Sequence, residues 1–288
     1  MIHIITDSMS DIKQDEASAL QIQVLPLYIH FEEETFEDNV TINTETFYQR
    51  LREAQKLPKT SQVIPDAFFN AYQKALASGS DALVITGSSE LSGTHQSAVI
   101  AKDMLSKDDQ GKVHLIDSRS ASLGEAMLVH EAVRLRDCGN SVEEIKNALD
   151  SLIPLQQLAG QVEDLKHLVM GGRLSSVSAK VGTMLRIKPM LRLNSGKLEM
   201  AGIARGSRNA YEWLASQLKS MSPDPARPLY LAGACAGKAV DALMNYLTEK
   251  ELMPPLFHIM DIGPVIGAHT GPGCVAISWI QTQKKMHV

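Results

Sequence analysis

Small hydroxyls recur where short apolar runs end, and a single histidine stands in a glycine-rich stretch near the end of the chain. Thr6-Asp7-Ser8 closes residues 2–5, Ser88, Ser89 and Ser92 follow residues 82–85, and Asp117-Ser118 closes residues 113–116. Thr60-Ser61-Gln62 lies in a polar segment, and His269 is the ionisable side chain between Gly263 and Gly273. A hydroxyl both donates and accepts, and a neutral imidazole offers one donor and one acceptor. Taken singly, each hydroxyl cluster is equally well read as a cap for the helix that follows. Three such strand ends, joined by Thr60 and Ser61, point instead to a shared polar binding crevice, with His269 as its ionisable member.

The familiar catalytic sets are incomplete. Gly233-Ala-Cys-Ala-Gly237-Lys238 resembles a phosphate-binding loop, but it is one residue short and Ala239 stands where a metal-binding hydroxyl is required. Ser89 lacks the following glycine of a nucleophile elbow, since Leu91 occupies that place. His130-Glu131 has no second histidine at zinc-protease spacing. No glycine-rich dinucleotide fingerprint follows the first strand. Gly171-Gly172-Arg173 suits a phosphate, yet reads more simply as a turn with a solvated arginine. The pattern predicts binding without self-contained chemistry, no cofactor and no metal.

Composition sets the class. The 288 residues are 44% apolar, enough for two ordinary domains with real cores. With 28 basic and 33 acidic residues the net charge is −5, and aromatic content is 5%, which argues against nucleic-acid partners. Cys138, Cys235 and Cys274 form no C-x-x-C pair and suit a reduced cytoplasm. Neither a signal peptide nor a membrane-length apolar run is visible, so a cytoplasmic protein is expected.

These residues must be held by alternating strands and helices. Strands are predicted at 2–5, 22–31 (with Pro26 at an edge or bulge), 82–85 and 113–116. Helices are predicted at 11–20, 44–57 (capped by Asn43 or Thr44), 65–77, 94–105, 122–138 and 141–152. Ser141 with Glu144 has the spacing of a capping box. Segments 32–41 and 58–62 read as loops. The alternation argues a parallel, doubly wound sheet whose ligands sit at the carboxyl ends of its strands. After a boundary near Pro154, strands are predicted at 160–165, 187–193, 198–203, 229–232, 257–262 and 274–280, with 187–203 forming a hairpin about Ser195-Gly196. Helices are predicted at 175–185, 209–221 and 238–252, a turn at 168–173, and a rigid glycine-rich loop at 263–273. The domains are thus 1–154 and 155–288, the second a mixed-sheet α/β domain.

Thr6-Asp7-Ser8, Thr60-Ser61-Gln62, Ser88-Ser89-x-Leu91-Ser92-Gly93-Thr94-x-Gln96-Ser97-Ala98, Gly171-Gly172-Arg173-Leu174-Ser175, Ile187-Lys188-Pro189, Arg205-Gly206 and Gly263-x-x-Ile266-Gly267-x-His269-x-Gly271-Pro272-Gly273 occur in that order. Together they resemble the DegV family, the fatty-acid-binding subunits of bacterial fatty acid kinase, over nearly the whole chain. Val169-Met170 departs from the basic pair that often precedes Gly-Gly-Arg, and His95 stands where tyrosine is common.

The resemblance implies two α/β domains with a long-chain fatty acid between them. Its carboxylate would be bound by Thr60, Ser61, Ser92 and His269, and its tail would enter the C-terminal domain. Arg205 would meet the ATP-binding kinase subunit, which makes an acyl-phosphate destined for phospholipid synthesis. The chain itself would present substrate and perform no chemistry. The competing reading is a stand-alone hydrolase or kinase acting on a small carboxylate or ketone. A transient membrane-surface contact through an exposed helix during lipid exchange is a further expectation.

The chemistry fits the resemblance. The three hydroxyls and His269 can donate to both oxygens of a carboxylate, forming a neutral cradle. At ~0.8 kcal/mol per buried CH₂, a tail of about 14 methylenes contributes roughly 11 kcal/mol of gross transfer energy, so the polar end mainly sets orientation. Met184 and Met190 are candidates for an adaptable tunnel wall.

Overall fold

A computed structural model describes residues 1–174 and 187–282. The first half contains β1 (Ile2–Asp7), α1 (Gln14–Ala19), β2 (Ile22–Leu25), β3 (Tyr28–Phe31), β4 (Glu34–Glu37), α2 (Thr44–Glu53), β5 (Lys59–Ser61) and α3 (Pro65–Ala77). It continues with β6 (Asp81–Thr86), α4 (Thr94–Asp103), α5 (Lys107–Gln110), β7 (Val113–Asp117), α6 (Leu123–Asp137) and α7 (Val142–Leu152). The second half contains β8 (Gln156–Gln161), α8 (Lys166–Met170), β9 (Ile187–Asn194), β10 (Lys197–Arg205) and α9 (Gly206–Ser220). It closes with β11 (Leu229–Gly233), α10 (Gly237–Glu249), β12 (Phe257–Asp261), α11 (Pro264–Thr270) and β13 (Val275–Ile280).

The first half builds a parallel sheet in the order β2-β1-β6-β7 and a small antiparallel sheet, β4-β3-β5. The second half builds a mixed sheet, β10-β9-β8-β13-β11-β12, in which only β11 and β12 run parallel. The fold is the two-domain α/β arrangement expected from the sequence. One apolar core runs from Ile4, Leu83 and Phe68 across to Tyr230, Ile262 and Ile280 of the second half. A second packs Leu214, Leu243 and Trp279 behind the mixed sheet. The two halves therefore share buried apolar surface where they meet, and a ligand site there is framed on both sides.

Several elements depart from expectation. The strand at 22–31 is two strands in different sheets, because Pro26 offers no N–H and the chain leaves the parallel sheet there. Segments read as loops supply β4 and β5, both recruited by β3; β5 carries Thr60 and Ser61. The strand expected at 160–165 begins earlier, at Gln156, and the turn at 168–173 starts as the short helix α8. The helix expected at 175–185, including Met184, lies outside the described residues.

The glycine-rich stretch 263–273 is the largest surprise, since most of it is helix α11. Pro264 sits in the first turn, where its missing N–H costs nothing, and Gly271 ends the helix with φ 72°. Gly263, just before the helix, donates its N–H to Asp11 Oδ1 at 2.9 Å. Local expectations held where local chemistry governs. Ser141 and Glu144 form the reciprocal capping box, and Ser195 and Gly196, both with positive φ, turn the β9–β10 hairpin.

Candidate ligand-binding site

The end of the parallel sheet is closed by the protein itself. Chain order reverses between β1 and β6, where a doubly wound sheet usually opens a crevice. Here Asp7 fills that gap, accepting from the amides of Met9 and Gly87, both at 2.9 Å. Burial raises its carboxyl to a pKa of about 6 against the lowering effect of those amides. Thr6 donates to the buried Glu125 at 3.0 Å, Ser8 accepts from Leu27 N at 3.0 Å, and Ser88 donates to Gly196 O at 2.8 Å. Ser89 donates to Asp117 at 2.6 Å, and Ser118 turns back to Ser120 O at 3.2 Å. The crevice expected from three converging strand ends is thus replaced by internal bonding. Beyond those clusters, the loop after β6 reaches the cavity with the hydroxyl of Ser92, and the loop after β7 with that of Ser122.

A cavity of about 320 Å³ lies between the two halves, within the size range of small-molecule sites. β5 brings Thr60 and Ser61 to it, α11 brings His269 and Thr270, and the segment after α8 brings Arg173. Apolar side chains of the mixed sheet complete it, among them Leu158, Leu191, Leu193, Leu198 and Ala276. Met9 also lines it, whereas Met190 is fully buried in the core behind the sheet. The proposed methionine wall is therefore not built from Met190.

Thr60 Oγ1 and His269 Nε2 are 2.8 Å apart across the junction of the halves. His269 Nδ1 is buried without a hydrogen-bond partner, against Gly171, where a Cβ would overlap it. An orphaned N–H is rarer and costlier than an orphaned lone pair, so the proton belongs on Nε2. Nε2–H then donates to Thr60, whose own O–H is free to donate into the cavity. Burial, then the positive charges of Arg173 and His167, lowers the His269 pKa to about 4, so the ring is neutral near pH 7.

Arg173 adds a cation to the cavity where the sequence suggested a neutral cradle. Its side chain is half-buried at the cavity, held by Leu91 O at 3.3 Å and Gly171 O at 2.5 Å. That places a permanent cation beside His269; Ser92 lines the same cavity, its hydroxyl paired with Thr94 at 2.9 Å. Ser61 is exposed at the cavity and pairs with His30 Nε2 at 2.8 Å. His30, on β3, also pairs with Thr35 at 2.9 Å; nothing in the sequence around it signals this role. Arg173 did carry a signal, its Gly-Gly-Arg turn, but the solvated reading hid it. Arg205, at the end of β10, is exposed and does not line the cavity. A cation, hydroxyl donors and an apolar remainder are suited to an amphipathic anion.

The family model described as "Uncharacterised protein, DegV family" matches residues 1–282. A DegV domain-containing protein of Clostridium acetobutylicum is 35% identical over 280 residues, covering 97% of this chain and 98% of that one. One from Caldanaerobacter subterraneus is 35% identical over 277 residues, covering 96% and 97%. Among solved structures, a DegV family protein from Thermus thermophilus described for its fatty acid binding has TM-score 0.87 and 32% identity, covering 98% of this chain and 99% of that one. DegV of Bacillus subtilis, described as a fatty acid binding protein, has TM-score 0.82 and 26% identity, covering 98% and 99%.

Proposed function

We propose that this chain, which belongs to the DegV family, binds a long-chain fatty acid and presents its carboxylate to a separate ATP-dependent kinase subunit. The observation that carries the reading is the composition of the interdomain cavity. Thr60, Ser61, Ser92, Arg173 and His269 gather donors in a cavity whose remaining wall is mostly apolar. Arg173 supplies charge, Thr60 supplies the hydroxyl freed by His269, and the apolar wall takes the tail. Structurally characterised relatives are described as fatty-acid-binding, which supports the ligand class.

On this reading the chain holds substrate in the cytoplasm, and the partner supplies ATP and the phosphoryl group. Arg205, exposed on β10 beside the half-exposed Ile203, is the proposed partner contact. Exposed Val169 and Met170 on α8 follow Leu168, which lines the cavity; they suit a transient membrane-surface contact. Among the described residues no helix is long and apolar enough to cross a membrane. We place the domain division at 154/155, because the strands up to β7 and those from β8 onward belong to separate sheets.

Mass spectrometry of lipid released from protein purified without added fatty acid tests the ligand. A long-chain fatty acid is expected. An empty protein that also fails to take up fatty acid would overturn the reading, and turnover of ATP or an ester by the isolated chain would favour a stand-alone enzyme.

A further inference from the structure

We propose that Asp11 is a positioning residue for the ligand site, its carboxylate tying the cavity wall at Ser122 to the start of α11 and so holding His269 against Thr60. The inference rests on the fatty-acid-binding reading for its affinity readout, but not for its structural one.

Asp11 is buried at 3% exposure and follows the short helical turn Ser8–Ser10 with φ 57°. Its oxygens serve different elements. Oδ2 accepts from Ser122 Oγ at 2.5 Å, and Oδ1 accepts from Gly263 N at 2.9 Å, 252 residues away in the sequence. Ser122 lines the cavity in an unusual backbone conformation, φ 52° and ψ −124°, and its N–H donates to Met9 O at 2.6 Å. A non-glycine residue there is strained, so it persists only where its surroundings hold it. Asp11 and the Met9 carbonyl are what hold it.

The other arm governs α11. Ile262, Val265, Ile266, His269 and Thr270 all line the cavity from this segment. Contacts from the first half seat its start: Tyr48 Oη donates to Ile262 O at 3.0 Å, and Gly263 packs so closely on Asp11 that a Cβ would lie 2.7 Å from Oδ1. α11 has only 7 residues. A small rotation at Gly263 is therefore delivered to His269, whose one ring bond is to Thr60. Asp11 thus bonds both to Ser122 in the cavity wall of the first half and to Gly263 at the start of the helix bearing the histidine.

Burial pushes the Asp11 carboxyl well above the usual range, and asparagine is its neutral isostere at this place. Its Oδ1 would accept from Gly263 N while its Nδ2 donates to Ser122 Oγ. Asp11→Ala removes both ties, and Asp11→Asn restores them. Tyr72→Phe is the control, deleting a buried bond to Ala98 O away from the cavity. Each variant is assayed for palmitate affinity and, by NMR, for the titration midpoint of His269.

Asp11→Ala is expected to weaken palmitate binding at least about tenfold and to raise the His269 midpoint from about 4 toward the unperturbed 6.5. Asp11→Asn is expected to restore both to near wild type, and Tyr72→Phe to lower thermal stability without moving either. A folded Asp11→Ala protein with wild-type affinity and midpoint would overturn the proposal. So would a midpoint that moves as far in Tyr72→Phe. Should Asp11→Ala fail to fold, Ser122→Ala removes one tie, and an unmoved His269 midpoint there would overturn it instead. If wild type binds no palmitate while Asp11→Ala still moves the midpoint, the fatty-acid reading fails and the tie stands.

Discussion

Thr60 and His269 meet at 2.8 Å through Oγ1 and Nε2, although 209 residues and the junction between two sheets separate them. Because His269 Nδ1 has no partner, this bond sets the tautomer of the ring and the direction in which Thr60 points its proton. Ligand chemistry at the polar end of the cavity follows from it.

The pair should behave as a unit. Thr60→Val and His269→Ala are each expected to weaken fatty-acid binding by about tenfold, the worth of roughly one hydrogen bond. The double variant should lose little more than either single one. Calorimetric titration of the four proteins gives the coupling, and fully additive losses would show that the two side chains act independently.

Arg173 should discriminate charge. Replacing it by methionine keeps the stem and removes the cation. Affinity for a fatty carboxylate is expected to fall by about 10- to 100-fold, in line with ~1.5–3 kcal/mol for a hydrogen bond to a charged group. Affinity for the corresponding fatty alcohol should change little. Equal losses for both ligands would assign Arg173 a packing role.

His269 should titrate far below an ordinary histidine. NMR is expected to place its midpoint near 4, and Arg173→Met should raise it by removing the adjacent positive charge. The unfolded chain takes up this proton at about 6.5 and the folded protein only at about 4. The site therefore costs stability as pH falls from 6.5 to 4, and is neutral to stability above that window. His269→Ala should flatten this part of the pH–stability curve; an unchanged slope would contradict the burial of the ring.

Asp38 should act in the opposite sense. It is fully buried, and its oxygens make no hydrogen bond of ordinary geometry, although the Ser8 hydroxyl and the Val265 and Asn39 amides lie near enough to lower its pKa somewhat. Burial dominates and raises the pKa from 3.8 to about 7. The folded state then holds the proton more tightly than the unfolded state, so this contribution to stability is complete below 3.8 and lost as pH rises to 7. Asp38→Asn is expected to raise the melting temperature at pH 8 relative to that at pH 5. A difference identical to wild type would mean that Asp38 ionises freely.

Much of this protein was legible in the chain because it rests on short-range pattern. The runs that became β1, β6 and β7, the Ser195-Gly196 hairpin and the Ser141–Glu144 cap each depend on residues within a few positions. The order of the motifs also pointed to Thr60, Ser61, Ser92 and His269, which the structure brings to one cavity. What the sequence could not decide was which way a polar side chain turns. Thr6 and Ser88 look locally like Ser92, yet they face Glu125 and Gly196, partners 119 and 108 residues away. The same holds for Arg173, drawn into the cavity by the Leu91 carbonyl, and for the glycine-rich stretch that becomes α11 with its preceding N–H on Asp11. A buried donor or acceptor must find a partner wherever the chain supplies one, and only the assembled tertiary structure shows which residue that is.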